Sequence, residues 1–65
     1  MFGVVWRKGD SVVLKENSTR VELKRVIASC QARASEMKRQ FPNSQPDNFV
    51  VLDSAGNTLR TVQIN

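Results

Sequence analysis

Histidine and tyrosine are both absent from this chain, which removes two of the usual proton carriers. What remains for chemistry is one thiol, Cys30, and six carboxylates: Asp10, Glu16, Glu22, Glu36, Asp47 and Asp53. General acid–base work needs a group titrating near neutrality or a pair of carboxylates sharing a pocket. Here Asp10 and Asp53 sit in turn sequences, Glu22 at a helix start and Asp47 in a connection, and no two are spaced as a recognisable pair. Cys30 lies between Ile27 and Ala34 on an apolar stripe, the setting of a small buried residue and not of an activated thiolate. A zinc site needs about four Cys, His or carboxylate ligands, so no metal is expected. Gly3, Gly9 and Gly56 are too scattered to form a phosphate loop, and no cofactor is expected. The residue inventory therefore predicts a binding protein and not an enzyme.

The basic residues are more informative. Between residues 19 and 41, Arg20, Lys24, Arg25, Arg33, Lys38 and Arg39 face only Glu22 and Glu36. Elsewhere Arg7, Lys8, Lys15 and Arg60 are matched by Asp10, Glu16, Asp47 and Asp53, so the whole net charge of +4 belongs to that one segment. A pI near 10.0 with cations gathered on one element is the electrostatic footprint of nucleic-acid binding. At about 100° per helical residue, Lys24, Arg25 and Arg39 share the outward side with the small Ala28, Ala32 and Ser35. Glu36 falls on the same side and opposes tight phosphate contact. The plainer alternative is a solvated helix face with local pairs such as Glu22 with Arg25. Trp6 could serve as a base-stacking platform, but a tryptophan in a valine-rich strand is read first as core.

These residues need an element to hold them. Thr19-Arg20-Val21-Glu22 fits a capping box, with the Thr19 hydroxyl accepting from the backbone and Glu22 reaching back. Leu23, Val26, Ile27, Cys30, Ala34, Met37 and Phe41 then recur at steps of three and four, which predicts an amphipathic helix over 19–41. Pro42 ends it, with Lys38 and Arg39 in the last turn. On either side lie β-rich runs: a hairpin over 2–15 turning at Gly9-Asp10, and a second over 49–64 turning at Asp53-Ser54-Ala55-Gly56-Asn57. The expected registers set Trp6 opposite Val13, Val5 opposite Leu14, Val51 beside Leu59 and Phe49 beside Thr61. The fold class is α+β: one small domain, ββαββ, a four-stranded antiparallel sheet with one helix across a face.

That arrangement leaves an apolar surplus. Trp6, Val5, Leu14, Val50, Leu52, Val62 and Ile64 cannot all lie under one helix, so either the registers are off by one residue or the second sheet face is covered. A 65-residue chain buries only about 60% of its unfolded surface and has no disulfide to staple it. The expected partner is a second copy, through Trp6, Val50, Leu52, Val62 and Ile64. The alternative is a larger protein that this chain regulates or inhibits. No apolar run is long enough for a membrane helix, and the lone cysteine without a leader-like stretch predicts a cytoplasmic setting. Asn17-Ser18-Thr19 matches a glycosylation acceptor but reads as the approach to the helix. The sequence thus points to a small basic binding protein, a nucleic-acid-binding or regulatory accessory factor, with Lys24, Arg25, Arg39, Lys38, Arg33 and Arg20 as the contact set.

Overall fold

The computed structural model describes residues 1–64. Strands β1 (Phe2–Lys8) and β2 (Ser11–Ser18) form the first hairpin, helix α1 spans Leu23–Gln40, and β3 (Asn48–Leu52) and β4 (Thr58–Gln63) form the second. All neighbours in the sheet are antiparallel and the order is β2-β1-β3-β4, so the first and third strands pair at the centre. This is the α+β, ββαββ fold expected from the sequence.

Both hairpins depart from simple register in the same way. The ladder steps from Arg7 opposite Val12 to Trp6 opposite Leu14, leaving Val13 as an extra residue. In the second hairpin Leu52 faces Thr58 and Val51 faces Arg60, leaving out Leu59. Each β-bulge moves everything beyond it by one position. The expected pairs of Trp6 with Val13, Val5 with Leu14, Val51 with Leu59 and Phe49 with Thr61 are therefore corrected: Val5 faces Lys15 and Phe49 faces Val62. The physical reason is packing. The first bulge lets the consecutive Val13 and Leu14 both reach the core, and the second turns Val62 toward it while Leu59 is left 42% exposed.

Between helix and sheet lies a core of Val4, Trp6, Val26, Cys30, Met37, Phe49 and Val51, each at most 2% exposed. Trp6 and Phe49 face each other across the central pair with ring centroids 5.2 Å apart and planes tilted by 46°. Such aromatic contacts add about 0.5–1.5 kcal/mol to the area they bury. Phe2, Leu23, Ile27, Phe41, Val62 and Ile64 complete the rim of this cluster.

The helix ends differ. At the C-terminal end Phe41 caps α1, its N–H donating to the Met37 carbonyl at 3.1 Å, and Pro42 follows as expected. The expected capping box is absent. β2 runs on to Ser18, pairing it with Phe2, so Thr19 belongs to the connection. Glu22 occupies the cap position in extended geometry (φ −114°, ψ 129°) with no side-chain cap bond, and its carbonyl accepts from Arg25 and Val26.

The loop after α1 is tied down by Asp47. Its carboxylate accepts from the Gly9 N–H at 3.1 Å and from Asn48 Nδ2 at 2.6 Å. Those bonds, Asn48 first, lower the Asp47 pKa. Gly9 has φ +58°, a left-handed conformation that the tight β1–β2 turn requires.

Candidate nucleic-acid interface

The outward side of α1 follows from its inward side. Val26, Cys30 and Met37 are buried, so the side chains about half a turn away point to solvent. Lys24, Arg25, Ala28, Ala32, Ser35, Glu36 and Arg39 are all exposed, as is Arg20 in the connection just before the helix. Arg20, Arg25 and Arg33 surround a shallow depression floored by Ala28, Ser29 and Ala32. The small side chains create the hollow, and the three guanidinium groups set its sign.

The six candidate cations are not equivalent. Arg33 leans over the flank of the helix onto β2, where Nη1 and Nη2 donate to the two oxygens of Glu16 at 2.6 and 3.2 Å. Its guanidinium carbon also lies 5.7 Å from the Trp6 ring centroid. Glu16 receives a further bond from Trp6 Nε1 at 3.0 Å, so one carboxylate satisfies a buried indole and anchors an arginine. Burial works against ionised Glu16, but the bonds from Arg33 and Trp6 outweigh it and its pKa is lowered. The Glu16 bond likewise raises the pKa of Arg33. Arg33 is thus largely structural, although it also lines the depression.

Lys38, on the opposite flank, donates to the Ile64 carbonyl at 3.3 Å. Arg25 meets Glu22 at 3.6 Å, but both side chains are more than 60% exposed, and such pairs contribute about 0–1 kcal/mol. Among the described residues no ion pair engages Arg20, Lys24 or Arg39.

The chain matches no family model, and no curated protein or solved structure is significantly similar to it.

The apolar candidate surface is redrawn by the corrected registers. Trp6 is 0% exposed under the helix, and Val62 and Ile64 pack against the same core. None of the three lies on the open sheet face. Of the five expected interface residues only Val50 and Leu52 remain there, joined by Val5, and Val50 is already only 6% exposed in the single chain. Around them lie Arg7, Lys15, Asn17, Asn48, Thr61 and Gln63, so this face is mixed, with a narrow apolar centre. Most of the surplus that called for a second copy is absorbed by the protein's own core.

Cys30 is 2% exposed, and burial followed by the nearby Glu16 charge pushes its thiol pKa up, away from thiolate chemistry. No described helix is long and apolar enough to cross a membrane. Sequence reasoning missed Glu16: nothing in Lys15-Glu16-Asn17 signals that its partner lies 17 residues away on the helix.

Proposed function

We propose that this chain is a non-enzymatic nucleic-acid-binding protein that engages phosphates through the outer face of α1. The observation that supports this reading is the exposed set Arg20, Lys24, Arg25 and Arg39. All four are at or near one helix surface, and three of them have no acidic partner among the described residues. Cations left unneutralised on a rigid element attract a polyanion at long range, and binding releases the counterions condensed on it. The depression between Arg20, Arg25 and Arg33 gives a phosphate a place to sit, because Ala28 and Ala32 keep the helix backbone accessible.

The test is the salt dependence of binding to nucleic acid, read by fluorescence anisotropy. Each phosphate contact contributes a slope of about −0.9 in log K against log salt on duplex, so about four contacts give a slope near −3.6. Alanine at Arg20, Lys24, Arg25 and Arg39 together should weaken binding at least about 100-fold, flatten its salt dependence and leave the circular-dichroism spectrum unchanged. No binding by the natural chain at about 50 mM salt would refute the reading, since low salt favours even nonspecific association.

A further inference from the structure

We propose that the nucleic acid is double-stranded DNA and that α1 enters its major groove, an inference that rests on the phosphate-binding reading above and narrows it. Three features of the fold select among polyanions. The first is where the rings are. Trp6 and Phe49 are 0% exposed beneath the helix, Phe2 and Phe41 are half-buried in the same cluster, and the chain has no tyrosine. Single strands are held largely by stacking bases on exposed aromatic side chains, and no such platform is offered.

The second is shape. Lys24 and Arg39, with no ion pair among the described residues, stand on the outer surface of α1, and the depression between Arg20, Arg25 and Arg33 is shallow, not a groove that could track a strand. An α-helix about 10 Å across fits the major groove of B-form DNA, about 12 Å wide, whereas the deep, narrow major groove of A-form RNA does not admit it. The 18 residues of α1 extend about 27 Å, enough for several turns to lie along the groove between its walls.

The third is the distribution of charge around the helix. Lys24 and Arg25 are neighbours in sequence and so stand about 100° apart, one on each side of the row formed by Ala28, Ala32 and Ser35. Cations on both sides meet phosphates on both groove walls, and the small side chains between them let the helix sink in. In the second half of α1, Arg39 is exposed within the row of small side chains, and Glu36, also exposed, stands nearly in line with Arg25. Glu36 repels phosphate there and so confines contact with that wall to the first half of the helix, where Arg25 stands.

Three labelled probes of equal length decide the matter at one low salt concentration: a mixed-sequence DNA duplex, its single strand, and the RNA duplex. The expected result is DNA duplex binding at least about tenfold tighter than the other two. Glucosylated hydroxymethylcytosine, which fills the major groove, should abolish binding, while the minor-groove ligand netropsin should leave it unchanged. Glu36→Gln should tighten DNA duplex binding at every sequence, because it removes a like charge beside the phosphates of one wall. If RNA duplex or single strand binds equally well, or groove-filling sugars have no effect, the groove proposal fails. The phosphate reading then still stands, provided alanine at Lys24, Arg25 and Arg39 weakens binding and reduces its salt slope by about three. If Glu36→Gln leaves duplex affinity unchanged or lowers it, that side of α1 does not face a phosphate wall and the groove proposal fails. Failure of all three probes to bind removes both proposals.

Discussion

The two exposed faces of this molecule are built on opposite rules. The outer face of α1 concentrates cations around alanines and serines, and Arg20, Lys24 and Arg39 find no acid among the described residues to neutralise them. The open face of the sheet has a narrow valine-leucine centre ringed by mixed polar side chains, and its Val50 is covered by neighbours of the same chain. The sheet face contains its own solution: alternation across the strands places Lys15 beside Val5 and Thr61 beside Val50, as in sheets with one wet side. The helix face has no such internal balance. An unbalanced surface on a rigid element is where an external partner does most to lower the free energy.

The sharpest way to break this contrast is to remove what supports both faces at once. Trp6→Ala should cost about 3–5 kcal/mol, because it empties the space between helix and sheet and strips Glu16 of one donor. Urea unfolding would measure it, and a loss below about 1 kcal/mol would contradict the packing described. Next comes the helix face itself. Alanine at Arg20, Lys24, Arg25 and Arg39 should weaken nucleic-acid binding by roughly 100-fold and reduce the salt slope by about one per cation removed, with stability nearly unchanged.

A smaller effect is expected at the link between the faces. Glu16→Gln should cost about 1–3 kcal/mol, since it loosens the Arg33 anchor and the Trp6 N–H bond together. Its pH signature has a definite sign. The Glu16 pKa is lowered in the folded protein, so the stability it contributes is present above the ordinary carboxylate value of 4.5. That stability is lost as pH falls through the lowered folded value. The natural chain should therefore lose stability on acidification more steeply than the Gln variant, and parallel curves would refute the role given to Glu16. Asp47 and Asp53, also lowered, contribute in the same direction in both proteins and cancel from the difference.

The smallest effect belongs to the sheet face. Leu52→Thr should leave nucleic-acid affinity unchanged and cost at most about 1 kcal/mol. Sedimentation across a concentration series then sharpens the comparison. A natural chain that dimerises and a Leu52→Thr variant that does not would show that the sheet face also meets a partner.

The elements were legible because their signals are local. Turn residues at Gly9-Asp10 and Gly56, the stripe from Leu23 to Phe41 and the stop at Pro42 each act within a few residues. The bulges were not legible, because nothing in Val12-Val13-Leu14 or Thr58-Leu59-Arg60 marks which residue is extra. Only the shared core chooses, by drawing in Val13, Leu14 and Val62. The second bulge sets the placement of Val62 and Ile64, two of the five residues expected on the open face. The helix starts later than the local pattern at Thr19 predicts, for a similar reason. Pairing of Phe2 with Ser18 keeps the chain extended past Lys15, and that long-range ladder outweighs the local capping pattern at Thr19. In the candidate interface, periodicity placed Lys24, Arg25 and Arg39 outward, but it could not reveal that Arg33 is held by a carboxylate on a distant strand.

The two bulges lie at the margins of the sheet, Val13 in β2 and Leu59 in β4, and these are its two outermost strands. An outer strand with a break in its ladder is bent and over-twisted, and so makes a poor template for another chain to zip onto. The same irregularities that seat the core therefore blunt both rims against runaway strand-by-strand growth, a safeguard that matters for a chain this short.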